Sequence, residues 1–184
     1  ERDLEEGSLS EERHTSILES VREIAEESAE HLDKKTDTES LPAGTDLKLL
    51  CLPARTKSDE ISAMMFARLS EKLSNVEVRY LSATSLMSEM LDQVKELNPD
   101  IVCVCSLPPT AVSKARYSLK KIHVSFPDVQ VLVGLWQSNN AVEKVMERLE
   151  SAGKGTQQIV SNLREGLNQI EQFQLSKAAT ADVA

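Results

Sequence analysis

Charged and polar side chains follow the apolar runs of this 184-residue sequence at positions where parallel strands would end. The carboxyl ends of such strands share one edge of a sheet, and ligands of doubly wound folds bind where the winding direction reverses. Cations after the first run suit an anion, although we favour a solvated loop there. We expect a ligand-binding crevice whose candidate residues are Arg55, Lys57, Asp59, Ser106, Pro108, Gly134 and Trp136.

Residue types at these positions exclude two chemistries that use such an edge. A phospho-receiver domain needs carboxylates after strand 1 and an Asp at the end of strand 3, where this chain has Pro53-Ala54 and Ser106-Leu107. A flavin or dinucleotide site needs a glycine-rich phosphate loop, which Arg55-Thr56-Lys57-Ser58 is not. No nucleophile and base, or acid and base, stand at a suitable spacing. We therefore expect no catalytic residues, no metal site and no cofactor.

Isolated residues of reactive type are better explained by structural roles. The histidines are far apart and share no ligand spacing, so we expect surface positions for His14, His31 and His123. The three cysteines lie in apolar stretches, which favours small buried thiols in a reducing cytosolic setting over a thiol cluster: Cys51, Cys103 and Cys105. For Trp136 a place in the core and a place in a pocket wall stay equally open.

A basic helix flank is expected to be solvated, with docking to an acidic N-terminal helix or to lipid headgroups as alternatives: Lys114, Arg116, Lys120 and Lys121. The formal net charge of −9 is unevenly divided. Residues 1–46 hold 15 Asp/Glu and 5 Lys/Arg, a net of −10, whereas residues 47–184 hold 15 and 16, a net of +1. Without clustered cations, nucleic acid is not expected as a partner.

The elements that would position the crevice alternate in type. An amphipathic helix is predicted over 8–32, opened by a Ser8–Glu11 capping box, and a polar linker over 33–46. An α/β domain is predicted over 47–175, before a frayed tail over 176–184. Its strands are predicted at 47–52, 76–81, 101–105, 129–134 and 156–160, and its helices at 58–73 with Ser58 as N-cap, 84–97, 109–126, 139–152 and 161–173. This alternation predicts a flavodoxin-like, doubly wound parallel sheet of about five strands in the order 2-1-3-4-5.

Cobalamin-binding domains have this topology, and the chain resembles them in part. Their Asp-x-His-x-x-Gly motif, in which the His coordinates cobalt, falls on Lys57, Asp59 and Ser62. Their Ser-x-Leu is echoed by Cys105-Ser106-Leu107, and their Gly-Gly is reduced to Gly134-Leu135. The resemblance implies the fold and counts against the cofactor.

Several short blocks, in order, resemble a second family, the bacterial autoinducer-2 exporter-type permeases. The blocks are Glu1–Arg13, Leu50–Arg55 followed by Asp59-Glu60, Ser106–Pro109 with Ala115–Tyr117, and Val133–Trp136. These permeases are multi-pass inner-membrane proteins, some with a soluble C-terminal extension. The resemblance implies a cytosolic extension of a membrane protein, and a start at Glu1 without Met fits a fragment. It does not imply a transported substrate.

The preferred hypothesis is a non-enzymatic regulatory or assembly domain of a membrane permease, at the cytosolic face of the bacterial inner membrane. Its partner would be the membrane-embedded portion of the same protein, and its crevice would sense a small ligand. One alternative is a soluble cobalamin-binding sensor or enzyme domain with a His-free binding mode. The other is a dimerisation module that self-associates through helix 8–32.

Overall fold

The computed structural model describes residues 2–33, 46–108, 111–136 and 157–181. Helices and strands alternate after two N-terminal helices, as the sequence pattern predicts. The helices are α1 Arg2–Glu5, α2 Glu11–Asp33, α3 Lys57–Ser70, α4 Met87–Leu97, α5 Ala111–Ser125 and α6 Leu163–Ala181. The strands are β1 Leu47–Pro53, β2 Val76–Tyr80, β3 Ile101–Ser106, β4 Gln130–Leu135 and β5 Gln157–Val160. The helix predicted over 139–152 and most of the predicted linker over 33–46 lie outside these residues.

All five strands are parallel and stand in the order β2-β1-β3-β4-β5, which confirms the predicted α/β fold. The chain adds β2 on one side of β1 and then adds β3, β4 and β5 in turn on the other side. The register pairs Leu49 with Ile101 and Cys105 with Gly134. The winding direction therefore reverses between β1 and β3, as doubly wound folds require.

Two apolar layers cover the sheet. Side chains alternate along each strand, so β1, β3 and β4 supply both layers and are buried along almost their whole length. The layer under α4 and α5 includes Leu50, Leu52, Val102, Val104, Val131, Val133 and Leu135. The layer under α3 and α6 includes Leu47, Leu49, Cys51, Cys103, Cys105, Leu132 and Trp136.

The helix predicted over 8–32 begins three residues later, as α2 at Glu11, and the short helix α1 precedes it. Gly7 adopts a positive φ of 72°, and the Ser8 hydroxyl donates to the Asp3 carbonyl, so the chain turns after α1. Helix α2 begins only at Glu11, where the Ser10 Oγ accepts the Arg13 N–H at 3.3 Å. The predicted Ser8–Glu11 capping box is therefore wrong, because the Ser8 side chain bonds backward instead of forward.

Two further boundaries differ from the prediction. Helix α3 is capped by Thr56, not Ser58, because the Thr56 hydroxyl and the Asp59 carboxylate each accept the backbone N–H of the other residue. The tail predicted to fray from 176 is helical to Ala181. There Lys177 lies 2.8 Å from both the Asp100 carboxylate and the Asp46 carbonyl, which anchors α6 at the amino edge of the sheet.

The cysteines are free and fully buried, as predicted for small core thiols. The Cys103 and Cys105 sulfurs are 3.7 Å apart, and burial, with the neighbouring thiols, holds the pKa of Cys103 well above its ordinary value. His123 is also buried, which contradicts its predicted surface position. Neither of its ring nitrogens has a hydrogen-bond partner among the described residues, and burial lowers its pKa.

Across the described residues, every helix is too short or too polar to cross a lipid bilayer.

Candidate functional site

Asp59 joins the two loops that meet at the switch point. Its Oδ2 accepts the backbone N–H groups of Arg55 at 3.1 Å and Thr56 at 2.9 Å, in the β1–α3 loop. Its Oδ1 accepts the N–H of Leu107 at 2.8 Å, in the β3–α5 loop. Asp59 is fully buried, so these bonds supply the partners that a carboxylate needs out of water. Asp59 therefore holds the crevice closed and is not an open ligand group.

Lys114 belongs to this arrangement and not to a solvated flank. Its ammonium lies 3.8 Å from the Asp59 Oδ2, and only 11% of its side chain is exposed. The prediction of a fully solvated basic flank on α5 is therefore wrong for Lys114, whereas Arg116, Lys120 and Lys121 are exposed. The acidic helix α2 packs on α3, across the sheet from α5.

Strand alternation separates the other predicted crevice residues. Arg55 is exposed on the β1–α3 loop and Lys57 is exposed at the start of α3, whereas Pro108 is half-buried after β3. Ser106 follows Val104 on the α5 side of the sheet, where its buried hydroxyl has no hydrogen-bond partner among the described residues. Gly134 and Trp136 lie on the opposite, α3 side. The structure therefore does not bring the seven predicted residues into one open crevice.

Trp136 fills the space at the end of β4. Its indole lies against Gly134, where even a β-carbon would overlap the ring. The ring also meets Phe66 at a centroid distance of 5.3 Å and packs close to Gly166 of α6. Only 5% of Trp136 is exposed, so two glycines leave the room in which a large aromatic ring closes the sheet edge.

An open cavity lies next to Trp136, between α2, α3 and the start of α6. Its volume of about 680 Å³ is in the range of roughly 300–1,000 Å³ typical of small-molecule sites. Trp136 forms part of its wall, so this residue serves both the core and a pocket. We call it the α2 cavity; its lining is Leu18, Val21, Ser58, Ile61, Ser62, Met65, Leu107, Trp136, Ser161, Asn162, Leu163 and Arg164.

Sequence reasoning found only Trp136 among these lining residues. The sequence does show the apolar stripe of α2 that contributes Leu18 and Val21. It does not show against which part of the domain this stripe packs. Leu18 and Val21 line the cavity because α2 packs along α3. The lining has no carboxylate, its one charged side chain is Arg164, and most of its surface is apolar, which suits a small, largely apolar molecule.

A buried polar cluster attaches α2 beside this cavity. The Glu60 carboxylate of α3 accepts from Arg22 of α2 at 2.5 Å, and from the Ser82 hydroxyl and Ala83 N–H after β2. Burial alone would raise the pKa of Glu60, but these bonds and the Arg22 charge outweigh it and lower the pKa. Glu60 therefore connects three segments, and these contacts favour its ionised form.

The described residues form neither a metal centre nor a corrinoid site of the cobalamin-motif kind. None of their His, Cys, Asp and Glu side chains form a group of three able to hold a metal ion. Nor do the residues that the cobalamin motif would use fit a corrinoid. Asp59 stands at the cobalt-ligand position with its oxygens already bonded, and Trp136 covers Gly134.

Replacing Asp59 by Ala should destabilise the fold by about 3 kcal/mol or more, because three backbone N–H groups lose their acceptor and α3 loses its capping box. Urea unfolding of Asp59→Ala measures this change. Asp92→Ala, on the exposed face of α4, is the matched control and should change stability by less than about 0.5 kcal/mol. Equal stability of the two variants would contradict the role given to Asp59.

Glu60→Gln should lower stability by roughly 1–2 kcal/mol at neutral pH, since a charged acceptor of several bonds is lost. The folded-state pKa is lowered, so the contribution of Glu60 is full above its unfolded pKa of about 4.3 and is lost as the pH falls through the folded value. Urea unfolding between pH 7 and pH 3 should show the two curves converging. Glu171→Gln, an exposed change on α6, should show no such gap at pH 7; a gap independent of pH would count against an ionised Glu60.

Comparison by sequence finds no relative: no family model matches the chain, and no curated protein does.

Comparison of structures finds chains of similar architecture. A novel cobalamin-binding protein from Desulfitobacterium hafniense DCB-2 aligns with a TM-score of 0.54 and 18% identity, over 93% of this chain and 74% of that one. A pilus assembly-related protein from Burkholderia pseudomallei K96243 aligns at 0.48 and 13%, over 73% and 93%. The A-PCP didomain of carboxylic acid reductase from Segniliparus rugosus aligns at 0.44 and 14%, over 72% and 17%. The last two TM-scores are too low to support a conclusion about the fold. The first shows that the chain has a cobalamin-binding-like α/β fold.

Proposed function

We propose that this chain is a non-enzymatic regulatory domain of a membrane permease, and that it senses a small, largely apolar ligand in the α2 cavity. The observation that carries the proposal is the composition of the cavity wall. Leu18 and Val21 of α2 face Ile61 and Met65 of α3 across a space that is large enough for a ligand.

A ligand in this position touches both the α/β domain and the helix that precedes it. Binding to the docked form of α2, and not to a detached form, favours docking by an amount set by ligand concentration and affinity. The bond from Arg22 to Glu60 holds the same helix beside the cavity. Ligand occupancy and this ion pair therefore stabilise one state, and the position of α2 is the output of the sensor.

The permease context rests on the ordered blocks of sequence that resemble autoinducer-2 exporter-type permeases. In such proteins the extension follows the membrane-embedded portion, so α2 would lie between that portion and the α/β domain. The acidic charge of residues 1–46 would keep this connection away from an anionic leaflet. A reading frame without transmembrane segments upstream of Glu1 would overturn this context and leave the ligand-sensing proposal standing.

N-phenyl-1-naphthylamine, a neutral apolar probe whose fluorescence rises out of water, tests the cavity. Saturating probe should raise the melting temperature by on the order of 5–10 °C at 100 times its Kd. Energy transfer from Trp136, the only tryptophan, should accompany binding. Hydrogen exchange over residues 11–28 should slow, because the probe touches α2.

Ser62→Phe places a ring in the cavity and should abolish probe binding, whereas Ser88→Phe, an exposed change on α4, should bind as the parent chain does. Equal binding by both variants, or binding without slower exchange in α2, would overturn the sensing proposal.

Cobalamin should not bind, because the Asp59 oxygens are occupied and Trp136 covers Gly134. Hydroxocobalamin and methylcobalamin mixed with the purified chain should separate from it on gel filtration, leaving no corrinoid absorbance in the protein peak. Stoichiometric comigration would instead favour the alternative of a cobalamin sensor with a His-free binding mode.

A further inference from the structure

Only half of the apolar stripe of α2 is covered by its own domain. Leu18 and Ala25 are half-buried beside α3, whereas Ile17, Val21 and Ile24 are 50%, 39% and 63% exposed. With Met65 of α3, these are four of the eight large hydrophobic residues exposed in the described part of the chain. Their concentration on one surface is typical of an interface.

The open residues follow the spacing of a helix–helix seam. Ile17, Val21, Ile24 and Ser28 are separated by four, three and four residues, which is the repeat of two helices that pack along their length. Beside them, a groove of about 250 Å³ runs between α2 and α3. Its walls are Val21, Ile24, Ala25, Ser28, Met65, Arg68, Leu69 and Lys72.

Charged residues at the edge of this seam favour a second copy of α2 as the partner, in the antiparallel direction. Arg13 and Glu27 are both exposed on α2, and neither forms an ion pair among the described residues. Ser20 lies midway between them in sequence. If a second α2 runs antiparallel about a two-fold axis beside Ser20, Arg13 of each copy is level with Glu27 of the other. A parallel pair in register would instead place Glu27 against Glu27.

The same axis also interleaves the apolar side chains. Ile17 of one helix then lies level with the gap between Val21 and Ile24 of the other, as packing of knobs into holes requires. We infer that α2 is the interface of a homodimer in which two copies of this chain pair antiparallel about Ser20. The two α/β domains support the pairing, since a helix of 23 residues is marginal as an isolated coiled coil.

Sedimentation of the full chain should show a concentration-dependent dimer. Ile24→Glu should give a monomer, because it puts a charge in the seam. Leu175→Glu, a matched change at a residue of α6 that is 72% exposed, should leave the dimer intact. A parent chain that stays monomeric at high concentration, or a Leu175→Glu variant that dissociates equally, would overturn the inference.

Oxidative cross-linking reports the direction, because the three native cysteines are fully buried. Ser20→Cys should cross-link with its own copy in the antiparallel pair. Ile24→Cys should not, since its two copies then lie about eight residues apart along the seam, or roughly 12 Å. Cross-linking of Ile24→Cys without Ser20→Cys would show a parallel pair and overturn the proposed axis.

Charge reversal tests the register. Arg13→Glu and Glu27→Arg should each raise the dimer dissociation constant by roughly tenfold, since two exposed ion pairs become two repulsions. The double variant should restore the parent value within about twofold, because both pairs re-form with opposite sign. A double variant no better than the worse single variant would rule out the Arg13–Glu27 contact. None of the changed residues lines the α2 cavity, so dimer loss and loss of probe binding are separately measurable.

Discussion

The carboxylate of Asp59 is the constraint on which the edge of the sheet depends. Two parallel strands end side by side at the switch point, and the loops after them leave in opposite directions. Asp59 accepts from both loops, so it fixes their separation and also caps α3. Ligands of this fold usually bind at this edge of the sheet, but here the buried Asp59 carboxylate occupies the space between the two loops. The space available to a ligand is therefore set by the helices beside it.

Trp136 fills the space at the end of β4, at this same edge of the sheet. A ring of its size needs close approach to the sheet, and the absence of side chains at Gly134 and Gly166 permits it. The indole then becomes a floor that separates the core from the α2 cavity. A ligand there would rest on the aromatic ring of Trp136 and be covered by α2, which the bond from Arg22 to Glu60 attaches to α3.

Continuous apolar runs that alternate with helical segments across short loops were sufficient to predict the sheet, its order and the places of its strands, because parallel strands are buried on both faces. Local capping was less predictable: Thr56 and Ser58 have equal chemistry, and only the partner Asp59 decides between them. The predicted crevice residues are separated for a related reason. Chain position places Ser106 and Trp136 together, but alternation puts them on opposite faces, and no periodicity reveals where α2 packs.

The position of β1 in the sheet has a mechanical consequence. This first strand lies inside the sheet, with β2 on one side and β3 on the other, and α2 precedes it in the chain. Tension on the N-terminal segment would act first on the ion pair of Arg22 with Glu60 and then along a strand held by two ladders in shear. The helix would peel away at low force while the sheet stayed whole. The contacts of α2 with α3 would therefore yield to a pulling force before the pairing of β1 with its two neighbouring strands does.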